Sequence, residues 1–320
     1  PPWYAPAMTL GEVLLGEDPA WAWCLLSPAL VIRGADDGLK GRLREMRREY
    51  ERPPIRVAPA DETTGYEALL AVVAEVEALL PIGRTAVSEV TSEGATVVSV
   101  HSNVGKTFAA FAAQRGLGNV ALHRAADAAA PLVVINDAAT PAVVVRADVF
   151  QQLARAEIGF VIAAAVSWMR PGVRGVMACD AAERGAWIEG LWGATGLRDA
   201  VSADGAKRAD QLRAAAPLAQ LADWAERLTP FATDAPADVA SRLHAALVAQ
   251  GHRAGLVAGA DLVQVLRLVS KLEGDADRPA AFDDAAAFDA YLASSPGLAP
   301  LVAYAASPAF GAALKAAPTL

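Results

Sequence analysis

Apolar positions recur at helical spacing along most of this chain, and as short β-branched runs in one stretch before its midpoint. The spacing predicts a short helix over Leu10–Leu15 capped by Thr9. An apolar segment, Trp21–Leu30, is broken by Pro28, and a helix follows over Leu39–Tyr50 with Leu39, Leu43, Met46 and Tyr50 on one face. Glu51–Asp61 carries Pro53, Pro54 and Pro59 and reads as a linker. A longer helix, Thr64–Leu80, follows and stops at Pro81, which lacks the amide that the next turn needs. The pattern then changes. Thr85–Val90, Thr96–Val100, Asn119–Leu122, Leu132–Ile135 and Ala142–Val145 are β-branched runs bounded by Gly, Asp, Asn or Pro, and each reads as a strand. Beyond Val145, Asp148 is placed to cap a short helix over Phe150–Arg155. Glu157–Met169 follows as a helix apolar nearly all round, hence buried. Helices are expected over 180–193, 205–228, 236–250, 260–272, 284–293 and 306–316, with Gly251 ending the third of these.

Strands gathered in one stretch between helices indicate an α+β fold, mostly helical, with a small central sheet and a helical C-terminal half. The linker suggests a helical segment over 1–60 and an α+β domain over 61–320.

Composition narrows the classes. The chain has 320 residues and is 54% hydrophobic and alanine-rich, which excludes a disordered chain. A net charge of −8 argues against a nucleic-acid partner. Two cysteines exclude a disulfide scaffold. No apolar run approaches the ~18–20 residues that span a bilayer, and no secretory leader is evident, so a cytoplasmic location is expected. Lys40, Arg44, Arg47 and Arg48 form a basic stripe, which Glu45, Glu49 and Glu51 offset. It reads as a solvated face.

Few residues suggest chemistry. Gly105, Lys106 and Thr107 lie between a strand and a helix, the local layout of a phosphate-binding loop, and Asp137 ends an apolar strand as a magnesium-binding carboxylate would. The first glycine of such a loop falls on Val100, a residue poorly suited to the tight turn. His101, His123, His244 and His252 form no paired-ligand motif, and Cys24 and Cys179 read as buried thiols.

One stretch has a recognisable order: Pro131-Leu-Val-Val-Ile-Asn-Asp, then Pro141-Ala-Val-Val-Val-Arg, then Glu157-Ile-Gly-Phe-Val-Ile through Trp168 to Pro171. Farther on come His252-Arg-Ala-Gly-Leu-Val and Asp261-Leu262. In this order the chain resembles the HtpX-like and CAAX-prenyl-protease-like zinc peptidases. It is most similar to the metallopeptidase-like domain at the end of some bacterial tetratricopeptide-repeat proteins. The resemblance implies a zincin-like sheet and a helix that would carry H-E-x-x-H. That motif falls on Ala164-Ala165-Val166-Ser167-Trp168, with the third ligand position near Val248. Methyl groups and an indole bind no zinc, and alanine activates no water. The resemblance therefore implies a peptidase fold that has lost its metal site, with no cofactor.

The function expected is a non-catalytic interaction or scaffold module that binds another protein. The alternatives are a nucleotide-binding protein using Lys106 and Thr107, a structural subunit of a larger assembly, and an enzyme whose site is scattered through the sequence.

Overall fold

The computed structural model describes residues 2–50, 56, 65–128, 130–148, 153, 155–200, 202–259, 261–272, 281–294 and 297–318. Helices α1 (Tyr4–Leu14), α2 (Pro19–Leu26), α3 (Asp37–Tyr50), α4 (Glu67–Leu79) and α5 (Asn103–Gln114) lead into the strands. Strands β1 (Thr96–Val97), β2 (Ala121–Ala125), β3 (Leu132–Ile135) and β4 (Ala142–Arg146) form one mixed sheet. Helices α6 (Arg155–Ser167), α7 (Val173–Ala178), α8 (Ala181–Thr195), α9 (Ala203–Ala215) and α10 (Leu218–Leu228) follow. The long α11 (Pro236–Gly259), then α12 (Leu262–Leu272), α13 (Ala285–Ser294), α14 (Leu298–Ala305) and α15 (Pro308–Ala316) complete the chain. The fold is α+β and mostly helical, with helices before and after a small four-stranded sheet. No helix among the described residues is long and apolar enough to cross a membrane.

The sheet runs in the order β1-β2-β4-β3, with β2 and β4 parallel and both edge strands antiparallel to their neighbours. Side chains alternate between its faces. Leu122, Val134, Val143 and Val145 join the helical core, while Val133, Ile135, Ala142 and Val144 pack beneath Val87, Val90 and Ala128. Because both faces are covered, β4 reads as a continuous apolar run.

Several expectations are corrected. Thr85–Val90 is not a strand, because Glu89 accepts from the Thr85 and Ala86 amides and folds the segment into a 3₁₀ turn, Val87–Glu89. The strand expected over Thr96–Val100 is shorter, since Ser99 O accepts from Ser102 and turns the chain into α5. β2 begins two residues later than Asn119 because Ala121 pairs with Ala142. Thr9 caps nothing, since its hydroxyl donates to Ala5 O inside α1. The cap comes instead from Asp289, which accepts from the Trp3 and Tyr4 amides at 2.9 and 3.0 Å. Pro217 divides the helix expected over 205–228 into α9 and α10, and Ser307 and Pro308 start α15 after a separate α14. The linker lies outside the described residues apart from Arg56, whose amide donates to Ala258 O. The short helix read over Phe150–Arg155 also lies largely outside them.

Chain ends meet across the molecule. Trp3 Nε1 donates to Val302 O at 2.9 Å and Trp21 Nε1 to Ala305 O at 2.8 Å, while Ile32 bridges Phe282. Two carboxylates on α4 tie the middle of the chain together. Glu75 accepts from Gln220, Trp224 and Arg227 of α10. Glu77, its side chain 2% exposed, accepts from the Gly172 and Gly175 amides at 3.0 and 2.6 Å and faces Arg174 at 3.3 Å. Burial pushes the Glu77 carboxyl above its ordinary range, against the pull of those donors. Removing the acceptor leaves two amides and a guanidinium in a buried place. Glu77→Ala is therefore expected to lower stability by about 3 kcal/mol, as read by urea denaturation. Surface Glu12→Ala, whose carboxylate faces Arg42 at 3.6 Å on the exterior, is expected to cost under about 0.5 kcal/mol.

Candidate functional site

The strongest candidate from sequence is the α6 segment carrying Ala164, Ala165 and Trp168. α6 packs along α11, and its apolar circumference reflects burial on all sides: Ala164, Ala165 and Trp168 are 2%, 1% and 6% exposed. The Trp168 indole N–H donates to Leu247 O of α11 at 2.9 Å, one residue before the half-buried Val248. The structure thus brings the Trp168 position next to the Val248 position and fills the space between helices with the indole.

The seat for that indole is made by glycine. A Cβ on Gly251 would overlap the indole, lying 2.6 Å from Cε2, and a Cβ on Gly255 would lie 2.5 Å from Cδ2 of Phe160. Two aromatic rings of α6 and the turn after it therefore sit in notches that only hydrogen side chains leave open. Gly251 does not end the helix, as its sequence position suggested. It lies well inside α11, where the contact with Trp168 outweighs its poor helix propensity of about 1 kcal/mol.

His252, which opens the second stretch of the resemblance, lies in this same seam beside Phe160. It is 6% exposed, its ring lies 5.6 Å from that of Phe160, and its Nδ1 is buried with no hydrogen-bond partner. Desolvation pushes its pKa down to about 4. His244, two turns earlier on α11, is also pushed down to about 4, by desolvation and then by Arg184. Sharing one helix, they stand about 12 Å apart along its axis. Among the described residues, no group of three His, Cys, Asp or Glu side chains could hold a metal ion. Ala164, Trp168 and Val248 offer no donor side chain suited to zinc, so these residues do not fit the ion that the family resemblance implies. Cys24 and Cys179 are buried, and desolvation raises both thiols, which suppresses the thiolate needed for nucleophilic chemistry.

The phosphate-loop residues are placed otherwise. Gly105, Lys106 and Thr107 lie within α5, not in a loop before it. Ser102 caps the helix, its Oγ accepting from the Gly105 amide at 3.0 Å and its carbonyl from the Lys106 amide at 2.8 Å. The amides that would cradle a phosphate are thus already engaged. Thr107 donates back to Asn103 O at 2.9 Å. Gly105 is small because a Cβ there would overlap Ser99 O. Asp137 accepts from the Ala139 and Thr140 amides, which hold its carboxyl below the ordinary range and close a turn after β3. β1 and β3 are opposite edges of the sheet, three strand spacings or about 14 Å apart. Asp137 thus follows the edge strand opposite the one that precedes α5.

Outside α6, three helices enclose a groove of ≈ 410 Å³ whose lining includes Trp3 and Leu10 of the α1 region, Asp289 of α13 and Ala303 of α14. Its apolar residues are scattered over both ends of the chain, so no local motif marked it.

Two outcomes follow from the notch. Gly251→Ala is expected to destabilise the protein by about 1–3 kcal/mol, since its methyl overlaps the indole. In a Trp168→Ala background the same change is expected to stabilise by about 1 kcal/mol, because only helix propensity remains. A double-mutant cycle by urea denaturation reads the change of sign. The second concerns pH. An unfolded His252 takes its proton near 6.5 and the folded one only near 4. Between those values the unfolded state binds more protons, so stability falls as pH is lowered through this window and is unaffected above it. His252→Leu is expected to reduce the acid loss by about 3 kcal/mol between pH 7 and pH 4, measured as the difference between unfolding free energies at the two pH values.

Compared with protein family models, curated proteins and solved structures, the chain matches none.

Proposed function

We propose that this chain is a non-catalytic protein-interaction module, similar to a zinc peptidase whose metal site has been replaced by packing. The observation that carries this reading is the seat of Trp168 against α11: the indole hydrogen-bonds Leu247 O and fills the Gly251 notch. A working metallopeptidase needs an open polar cleft with imidazole or carboxylate ligands around the ion. Here the corresponding positions are methyl groups and a ring, with Ala164, Ala165 and Trp168 buried and Val248 half-buried. The α6–α11 seam is thus a structural element, and recognition falls to the surface. An apolar groove between helices is a usual place for a partner segment to dock.

The nucleotide-binding alternative has less support, because Ser102 occupies the amides at the start of α5 and Asp137 lies at the other edge of the sheet. A structural subunit remains compatible with the same surface and differs from the module only in how permanent its partner is.

Elemental analysis of the full chain, purified without chelator, tests the reading together with a casein-hydrolysis assay. Zinc well below one atom per chain and no hydrolysis above buffer are expected. One tightly held zinc per chain, or proteolysis abolished by a chelator, would overturn it.

A further inference from the structure

The groove at the meeting of the chain ends has a regular construction. On the α1 side, Trp3, Ala7 and Leu10 line it at i, i+4 and i+7. On α14, Ala299, Ala303 and Ala306 line it at the same spacing. Each set is one face of a helix over about two turns, or about 10 Å. Two helices thus offer stripes of small or apolar side chains to a shared space that α13 also lines. Ala299 and Ala303 are exposed, so their methyl groups meet solvent when the groove is empty. Methyl-lined walls let another helix approach closely, and two turns is the reach of the i, i+3, i+4, i+7 anchors by which a docked helix is held.

The groove has one charge. Among the described residues that line it, Asp289 alone is ionisable. Its Oδ1 is committed to the Trp3 and Tyr4 amides, which start α1. Its Oδ2 accepts no hydrogen bond from a described residue, and no described cation pairs with it. A carboxylate that lines an apolar groove, with one oxygen free of hydrogen bonds, selects for a cation at the margin of whatever apolar surface fills it.

We propose that this groove docks one amphipathic helix of a partner protein, carrying a lysine or arginine beside its apolar stripe. The proposal rests on the interaction-module reading and gives that module its surface and the chemistry of its partner. Asp289 thereby has two roles through its two oxygens: one fixes the N-terminus of α1 and so shapes the groove, and the other meets the partner's cation.

The test uses the full chain and two fluorescein-labelled helical peptides of alanine, leucine and glutamine. One bears a single arginine beside its leucine stripe, and its twin bears glutamate there. Fluorescence anisotropy is expected to show saturable binding of the arginine peptide, about fivefold tighter than its twin. Asp289→Asn retains an oxygen for the two amides and is expected to abolish that preference. Ala303→Arg, at an exposed position, is expected to abolish binding without moving the unfolding midpoint. Failure of the arginine peptide to bind below about 1 mM, equal affinity for its twin, or binding that survives Ala303→Arg overturns the proposal. Concentration-dependent self-association lost in Ala303→Arg would assign the groove to a second copy and overturn it as well. A groove that fails in a zinc-free chain removes only this surface assignment. A chain that binds zinc tightly removes the module reading whatever the peptides do.

Discussion

The contact on which the helical half depends is the burial of two aromatic rings of the α6 segment against glycines of α11. Trp168 fills the notch at Gly251 and Phe160 the notch at Gly255, and the indole N–H finds Leu247 O in a place that water does not reach. Buried aromatic rings contribute several kcal/mol each when well packed. Their seats leave no tolerance for an added methyl, so the contact fixes the register of α6 on α11 as well as stabilising it. α11 then serves as a spine: it also packs along α8 and touches α12, α14 and α15. The close approach accounts for a 24-residue helix that keeps glycines in its interior.

Around that seam, polar residues act as ties between elements distant in sequence. Glu75 and Glu77 on α4 hold α10 and the start of α7, and Asp289 holds the start of α1. Each uses a carboxylate to accept from several donors at once: Glu77 and Asp289 satisfy backbone amides that would otherwise be left without partners, and Glu75 takes three side-chain donors. The same economy shapes the surface. Asp289 fixes the wall of the apolar groove with one oxygen and leaves the other without a hydrogen bond from a described residue, so the groove's shape and its single charge come from one side chain.

Much of the fold was legible because hydrophobic spacing reflects burial directly. β3 was read with its correct ends, Leu132–Ile135, and β4 differed by one residue, since both are continuous apolar runs covered on two faces. The all-round apolar character of α6 correctly signalled burial. Local spacing failed where a distant group decided the outcome. Thr9 looked like a cap, but the cap came from Asp289, 280 positions later. Gly251 looked like a helix end because glycine usually is one, whereas here it answers to Trp168. The spacing Gly251, Gly255, Gly259 inside a helical pattern was the available signal for a close helix contact. The candidate site was legible in part. The resemblance set Trp168 against the stretch around Val248, where the indole N–H donates to Leu247 O, while His252 entered only as the first residue of the second resembling segment, with nothing local to mark it as buried. The groove could not be read, since its walls come from the first and last stretches of the chain and consist of residues that carry no chemistry of their own.

The central claim is that Trp168 closes the α6–α11 seam in a dry, permanently packed contact. Hydrogen exchange at the Trp168 indole N–H, followed by NMR on protein labelled with ¹⁵N-tryptophan and assigned with Trp168→Phe, addresses it most directly. The account predicts that this proton exchanges only through global unfolding, with a protection free energy equal to the stability measured by denaturant. Exchange at the rate of a solvent-exposed indole, in protein whose other core amides remain protected, would contradict it.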